Sequence, residues 1–413
     1  MKVGIYGQFY HKDAGKYIQE LLDELDRAQI DVIIEENFLD IINHHETIKK
    51  EYNHFSTFEE LDDSYDLFFS IGGDGTILKT IYYVRHHNIP IVGINTGRLG
   101  FLATIQKEEI KERVLSKTLL NVLKQMPKKS HPMDVARTAV SVMGLEDKDT
   151  KDNSPKANLR KAMRIFAKTP VALAAFYRLR KGKKIISPKK KLTFAENFFH
   201  MCFGKVPNKD IVKAFDVSLI LYAEHSFNVS TFTARTITSS LSDIHGAITG
   251  AIASLKGPLH GGANEEVMHM MKKIKKPDNA FKWINKALDN KDVVMGFGHR
   301  VYKSGDSRVP TMREYFRKVA KIKKDKTFEK IYDVVEKVMI ERKNIHPNVD
   351  YPTGPTYHLM GFDTDFFTPI FVISRITGWS AHIMEQHGSN KLIRPLASYN
   401  GSKYRKVKTI NQR

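Results

Sequence analysis

Residues 257–264 read GPLHGGAN and set His260 among glycines immediately before a predicted helix. Glycine lets a backbone pass close to a ligand, because it has no side chain to block the approach. A lone histidine is more often a structural residue than a functional one. A histidine between GPL and GGAN at a helix boundary is less ordinary, and this stretch therefore predicts a binding loop in a helical region.

Helical periodicity extends in both directions from this loop. Beyond about residue 112 the apolar residues recur at helical spacing, and strand signals almost vanish. The predicted helices are 132–143, 157–181, 195–201, 208–224, 231–254, 264–273, 280–288, 311–324, 327–342, 353–360 and 367–387. Residues 111–413 are therefore predicted to fold as an all-α region.

Two later loops also place a titratable side chain among glycines or at a helix boundary. Residues 295–303 read MGFGHRVYK and contain His299, and residues 348–354 read NVDYPTG and contain Asp350. An isolated aspartate before a helix is more often a cap or turn residue. Other basic residues lie near these loops or follow them in the chain, namely His225, Lys303, Arg308, Arg375 and Arg394.

The three loops together carry the groups needed to join the α-carbon of a thioester to a ketone. Such a reaction needs a base for a weakly acidic C–H proton, and donors for the enolate oxygen and for the acceptor carbonyl. One carboxylate and two histidines can supply these groups. If the acceptor is a dicarboxylate, arginines are its natural partners, because guanidinium binds carboxylate bidentately.

The motifs GPLHGGANE, GFGHRVYK and NVDYPTG, in this order, closely resemble those of the citrate synthase family. The resemblance runs from about residue 115 to residue 413 and implies all-helical large and small domains in a homodimer. It implies an acyltransferase that condenses acetyl-CoA or propionyl-CoA with oxaloacetate, giving citrate or 2-methylcitrate and CoA. No cofactor is implied, since the acyl-CoA is a substrate.

The same resemblance assigns roles to individual residues. Asp350 would remove the α-proton, His260 would hydrogen-bond the thioester oxygen, and His299 would polarise the oxaloacetate carbonyl. Lys303 would lie near the CoA phosphates. The oxaloacetate carboxylates would be held by His225, Arg308, Arg375 and Arg394, the last reaching across the dimer interface.

Two short segments bear on the choice of acyl donor. Residues 306–312 read DSRVPTM, and Arg394 is followed by Pro395-Leu396. Both segments are similar to family members described as 2-methylcitrate synthases or dual-specificity enzymes. Both acyl donors stay open, since one methylene changes binding in an apolar pocket by only about 1 to 3 kcal/mol.

The first hundred residues have a different pattern. Short β-branched runs alternate with helical stretches, which predicts βαβ units and a parallel sheet. Strands are predicted at 2–6, 31–34, 66–71 and 91–94, with helices at 14–27 and 76–86. Residues 70–76, SIGGDGT, follow a strand and open a helix, so their glycines suit either phosphate binding or the steric need of a tight turn.

SIGGDGT, together with NTGRLGFL at residues 95–102, resembles the NAD kinase family over about residues 1–106. The resemblance implies that Asp74 helps to activate a ribose hydroxyl. The implied nucleotide contacts are Gly72, Gly73, Asp74, Gly75 and Asn95. The β-rich second domain of that family begins with an Asn-Glu motif and does not follow here, since the only such pair, Asn264-Glu265, belongs to another motif. An incomplete nucleotide site without kinase activity is therefore expected.

The two resemblances meet near residue 110 and predict two domains, residues 1–110 and 111–413. The kinase-like piece takes the place of an N-terminal segment that the citrate synthase family normally has. The alternative to an acyltransferase is a non-catalytic fusion, or a protein that retains only nucleotide binding.

The charge divides at the same point. Residues 1–110 hold 10 basic and 19 acidic residues, a balance of −9, whereas the rest hold 56 and 27, a balance of +29. The lysines are spread over many predicted helices, so a solvated basic surface is favoured over a nucleic-acid site, and it suits an anionic CoA ester. Neither a signal-peptide core nor a membrane-spanning stretch is found, so a cytoplasmic protein is expected.

Metal binding and disulfide formation are not expected. Cys202 is the only cysteine, and no Cys/His spacing predicts a metal site. His382 and His387 are five residues apart, whereas two ligands on one helical face are three or four apart. A packed helix is therefore predicted around these two histidines.

Overall fold

The computed structural model describes residues 1–7, 15–45, 50–72, 76, 79–81, 84, 87, 89–94, 113–299, 302 and 305–413. The chain divides into two compact units, Met1–Glu109 and Ile110–Arg413. None of the described helices is both long enough and apolar enough to cross a membrane.

The first unit is built on a five-stranded parallel sheet. Its strands are β1 (Lys2–Gly7), β2 (Asp31–Glu35), β3 (Asn53–Phe55), β4 (Leu67–Ile71) and β5 (Ile91–Ile94), in the spatial order β3-β2-β1-β4-β5. Helix α1 (Gly15–Arg27) connects β1 to β2, and α2 (Glu36–His45) follows β2. The predicted α/β fold with a parallel sheet is confirmed.

Strand β3 and helix α2 of this unit were not predicted from the sequence. Strand β3 has only three residues, of which two are polar, so it shows no alternating pattern. Helix α2 begins directly after β2 without a loop. Glu35, the last residue of β2, takes the place of a cap, because its carboxylate accepts the backbone N–H of Phe38 at 2.9 Å.

The sheet of the first unit is buried on both faces. Successive side chains of a strand point to opposite faces, so neighbouring residues of β1 enter different clusters. Ile5 packs with Leu22 of α1 on one face. Tyr6 packs with Phe68 of β4 on the other. This two-sided burial is typical of parallel sheets.

The described part of the second unit is helical, which confirms the predicted all-α fold. Its main helices are α3 (Lys117–Gln125), α4 (Pro132–Glu146), α5 (Pro155–Leu179), α6 (Phe194–Phe203), α7 (Lys209–Tyr222), α8 (Val229–Ser239), α9 (Ile244–Leu255), α10 (Ala263–Ile274), α11 (Pro277–Asp289), α12 (Val309–Lys323), α13 (Thr327–Lys343), α14 (Asp350–Met360) and α15 (Phe367–Gly388). Helix α15 is mostly buried and packs against α5, α7, α8 and α9.

The predicted helix 231–254 is wrong as a single element, because the chain turns within it. Helix α8 ends at Ser239, and Leu241 adopts a positive φ of 65°. The Asp243 side chain then caps α9 by accepting the backbone N–H groups of His245 at 2.9 Å and Gly246 at 3.1 Å. The Ser-Leu-Ser-Asp turn therefore divides the stretch into a hairpin of two helices.

The loop that carries His299 is joined to the loop that carries Asp350. Phe297 and Pro347 form an antiparallel β-bridge. On either side of it, the backbone N–H of Gly298 donates to His346 at 2.8 Å, and that of Asn348 donates to Gly296 at 2.9 Å. Two of the three predicted functional loops are thus held side by side by backbone hydrogen bonds.

Candidate active site

Asp350 is the first residue of helix α14 rather than a cap that precedes it. Its Oδ1 accepts the hydroxyl of Tyr222 at 2.6 Å, and its backbone N–H donates to the Asn348 side chain at 3.1 Å. Loss of hydration raises the pKa of Asp350 to about 6, although the Tyr222 hydrogen bond and the charge of Arg308 oppose the rise. A carboxylate with such a pKa is ionised at neutral pH and can accept a proton.

Asp306 connects the turn before α14 to the start of α12. Its Oδ2 accepts the backbone N–H of Val349 at 3.0 Å and Nη2 of Arg308 at 2.8 Å. Its Oδ1 accepts Nε of Arg308 at 2.9 Å. One buried carboxylate therefore fixes both the Arg308 guanidinium and the residue that precedes Asp350.

His260 is oriented by Ser230, near the start of α8. The backbone N–H of Ser230 donates to Nε2 of His260 at 3.2 Å, and the Ser230 hydroxyl lies 2.8 Å from the same nitrogen. Because Nε2 accepts, the hydrogen of the neutral ring belongs on Nδ1. Burial and the charge of Arg375 lower the pKa of His260 to about 4, so at neutral pH the ring is an uncharged donor.

His225 and His299 lie against each other, with ring centroids 4.9 Å apart. The backbone N–H of Tyr302 donates to Nδ1 of His299 at 3.3 Å, which places the hydrogen of a neutral ring on Nε2. Burial and the charge of Arg308 lower the pKa of His225 to about 4. At neutral pH the His225 ring is therefore uncharged, so it lies against His299 without adding a positive charge to the site.

Arg375, in the middle of α15, is a buried cation with an unused donor. Its side chain is 2 % exposed, and Nε donates to the Tyr222 carbonyl at 2.7 Å. The guanidinium lies 4.6 Å over the ring of Phe371. Nη1 is buried without a hydrogen-bond partner among the described residues. Burial and the nearby Arg308 lower the pKa of Arg375 to about 9, so an anionic ligand would stabilise its charge.

A close approach of α15 to the end of α7 brings these groups together. The N–H of Gly378 donates to the Ala223 carbonyl at 3.1 Å, and a Cβ at Gly378 would lie 2.6 Å from that oxygen. Glycine is needed at this contact. Arg375 and Trp379 flank Gly378 on α15, and the Trp379 indole donates to the Ser230 hydroxyl at 3.1 Å.

Six of the predicted site residues thus form one connected group in the second unit, namely His225, His260, His299, Arg308, Asp350 and Arg375. Arg394 does not join them within this chain, because it lies exposed in the segment after α15. Lys303 lies outside the described residues. In the first unit, Gly73, Asp74, Gly75 and Asn95 also lie outside them.

Gly72 is the one predicted nucleotide contact that is described. It follows β4 with a positive φ of 152°, and a Cβ there would lie 2.4 Å from the Thr76 hydroxyl. Glycine is therefore required by the turn itself. This observation fits the steric interpretation of the glycine-rich run.

His382 and His387, both on α15, contact different side chains. Nε2 of His382 lies 3.0 Å from the Glu224 carboxylate, whereas Nδ1 of His387 lies 2.9 Å from the Asn158 side chain. Among the described residues, no group of acidic, histidine or cysteine side chains could hold a metal ion. Both histidines pack α15 against other helices.

Several residues of the site were not singled out from the sequence. Tyr222 holds Asp350, although the two are 128 residues apart in the chain. Ser230 lies a few residues after His225, and Asp306 opens the quoted segment DSRVPTM, but neither was given a structural role from the sequence. Their hydroxyl and carboxylate were visible signals, whereas nothing in the sequence around Tyr222 distinguishes it from a core residue.

Comparisons with known proteins identify the family of this chain. The family model "Citrate synthase, C-terminal domain" matches residues 99–396, and "ATP-NAD kinase N-terminal domain" matches residues 3–119. A 2-methylcitrate synthase from Mycobacterium tuberculosis is 51% identical over 304 residues, which cover 74% of this chain and 77% of the relative. The 2-methylcitrate synthase 2 of Corynebacterium glutamicum is 52% identical over 306 residues, covering 73% and 80%. A citrate synthase from Mycolicibacterium smegmatis is 49% identical, covering 74% and 82%.

Solved structures give the same result. Citrate synthase from Thermotoga maritima is 35% identical with a TM-score of 0.66, covering 74% of this chain and 82% of the other. Citrate synthase from Thermoplasma acidophilum, solved as a ternary complex with carboxymethyl coenzyme A and oxaloacetate, is 33% identical with a TM-score of 0.69, covering 74% and 83%. On the strength of its helical fold, its site and these matches, the chain belongs to the citrate synthase family.

Proposed function

We propose that the second unit condenses an acyl-CoA, propionyl-CoA or acetyl-CoA, with oxaloacetate and releases CoA. The observation that carries the proposal is the clustering of an ionisable carboxylate, the imidazoles of His260 and His299, and a buried arginine whose Nη1 has no hydrogen-bond partner among the described residues. The names of the relatives support the reaction, since they include both 2-methylcitrate synthases and citrate synthases.

In the first step, Asp350 takes a proton from the α-carbon of the acyl group. Only Oδ1 is engaged by hydrogen bonds from described residues, which leaves Oδ2 for that proton. Nδ1–H of His260 donates to the thioester oxygen as negative charge develops on it. A donor that is already oriented by Ser230 stabilises this charge without reorganisation.

In the second step, the enol carbon attacks the ketone carbon of oxaloacetate and forms the new carbon–carbon bond. Nε2–H of His299 donates to the ketone oxygen, which becomes a hydroxyl when it takes up a proton. Nη1 of Arg375 and the guanidinium of Arg308 hold the carboxylates. Water then cleaves the thioester, so one acyl-CoA, one oxaloacetate and one water give the tricarboxylate, free CoA as its thiol and one proton.

The proposed enzyme is a homodimer in which Arg394 of one copy completes the site of the other. Two features support this proposal. Arg394 stands in an exposed segment after α15, and Leu392 and Leu396 beside it are largely exposed as well. Phe227 and Val229, at the start of α8, are exposed apolar residues close to the site and would be covered by a second copy.

A thiol-release assay tests the proposed reaction. Each acyl-CoA is supplied with and without oxaloacetate, and free CoA is measured with a thiol reagent. We expect release from at least one of the two acyl-CoAs, and only when oxaloacetate is present. A folded protein that releases CoA from neither would contradict the proposal.

The activity is expected to fall on the acid side of pH 6. The folded pKa of Asp350 is about 6, and the base acts only when it is deprotonated. Below that pH, kcat/KM for the acyl-CoA therefore falls by about tenfold per pH unit. His260 and His225, with pKa values of about 4, stay neutral over this range and add no second step. The profile is measured between pH 5 and 8 at constant ionic strength, and a flat profile down to pH 5 would disprove the assignment of Asp350 as the base.

A further inference from the structure

Tyr222, the last residue of α7, contacts two groups of the site at once. Its hydroxyl donates to Oδ1 of Asp350 at 2.6 Å, and its backbone carbonyl accepts Nε of Arg375 at 2.7 Å. Its ring lies 4.0 Å from that of Phe371, the ring on which the Arg375 guanidinium rests. The side chain is buried, so its orientation is fixed by packing.

We propose that Tyr222 is a positioning residue. Its hydroxyl orients the base Asp350, and its backbone carbonyl orients Arg375, which binds a carboxylate of oxaloacetate. The inference rests on the proposed function of the site. It assigns no contact with substrate to Tyr222. The residue acts through its two partners, one on α14 and one on α15.

The hydroxyl of Tyr222 is a permanent donor. Burial and the negative charge of Asp350 raise the pKa of the phenol well above its usual value, so the group keeps its proton throughout the assay range of pH 5 to 8. A donor that cannot accept a proton from Asp350 favours the ionised carboxylate. The base is thereby held both in place and in the charged form.

The other charged groups near Asp350 come from the start of α12 and from α15. Arg308 and Arg375 favour the carboxylate, whereas Asp306 opposes it. Tyr357, further along α14, is buried nearby, but its hydroxyl pairs with Ser218 at 2.9 Å. Removal of the Tyr222 hydroxyl leaves all of these groups in place. The pKa of Asp350 should then rise, because the loss removes a hydrogen bond made to the charged form.

The two contacts predict separate effects. Tyr222→Phe removes the hydroxyl but keeps the carbonyl that holds Arg375. The acid limb of the kcat/KM profile, the part that falls as Asp350 is protonated, should therefore move to higher pH by about one unit. The KM for oxaloacetate should stay within about twofold of the original, since the Arg375 contact survives. A residue with only a structural role would lower activity at all pH values without moving the limb.

Tyr357→Phe is the matched control. It also deletes one buried tyrosine hydroxyl, and that hydroxyl contacts Ser218 rather than Asp350. We expect its acid limb to coincide with that of the unmodified protein. A second variant carries 3-fluorotyrosine at position 222, where fluorine makes the phenol a stronger donor and should move the limb to lower pH.

A titration of Asp350 by carbon-13 NMR gives a readout that does not need turnover. The side-chain carboxyl signal is identified by its loss in Asp350→Asn. An unmodified protein that releases no CoA overturns the proposed function, and the titration then still tests the inference on Tyr222. Equal carboxyl pKa values in the unmodified and Tyr222→Phe proteins would overturn the inference. If Tyr222→Phe does not fold, an unshifted limb and carboxyl pKa in the fluorotyrosine protein would overturn it.

Discussion

Asp350→Asn is expected to lower kcat by about 10³-fold, within the 10²- to 10⁴-fold range of general acid–base catalysis. Asparagine has nearly the shape of aspartate, and its side-chain oxygen can still accept the Tyr222 hydroxyl. It cannot take the proton from the acyl α-carbon. The loss is measured as the rate of CoA release at saturating oxaloacetate.

The same variant should melt at an equal or higher temperature at neutral pH. The folded pKa of Asp350, about 6, lies above the usual value for aspartate, so the folded state binds a proton more tightly than the unfolded state does. The ionised side chain therefore destabilises the fold above pH 6. A neutral asparagine removes that cost. A marked drop in melting temperature would indicate a structural rather than a catalytic role.

Arg375→Met is expected to raise the KM for oxaloacetate by about 10²-fold, because it removes a buried partner of a substrate carboxylate. Methionine fills much of the same space among apolar neighbours. The KM for the acyl-CoA should change far less. Initial rates over a grid of both substrate concentrations separate the two constants.

Arg313→Met is the control for this change. Arg313, on α12, donates to the Tyr332 hydroxyl at 3.1 Å and has no contact with the site residues described above. We expect its oxaloacetate KM to be unchanged. An equal rise in both variants, or a rise in Arg375→Met confined to the acyl-CoA, would contradict the assignment of Arg375 to the oxaloacetate carboxylates.

The sequence was informative where function depends on local motifs. The loops around His260, His299 and Asp350 were each recognised from glycines and titratable residues within a few positions. Helical periodicity also predicted most elements of the second unit. It failed at Leu241, because a change of direction needs only one residue of positive φ, and the apolar spacing continues across it.

The protonation states of the site residues, and the contacts that set them, could not be predicted in the same way. Tyr222 contacts Asp350, and Asp306 contacts Val349, across 128 and 43 residues of chain. Such pairs leave no periodic or local signal. The pKa of Asp350 is set by the side chains packed around it, and burial is also what leaves Nη1 of Arg375 without a partner among the described residues. A single sequence can supply the list of reacting groups, whereas their protonation states follow from the packing.

Formation of the new carbon–carbon bond is the most direct test of the proposed chemistry. Oxaloacetate labelled with carbon-13 is incubated with propionyl-CoA or acetyl-CoA, and the products are identified by mass spectrometry. We predict a labelled tricarboxylate, formed in equal amount to the released CoA and absent with Asp350→Asn. Release of CoA from a folded protein without a labelled tricarboxylate would show thioester hydrolysis instead, and would contradict the proposed condensation.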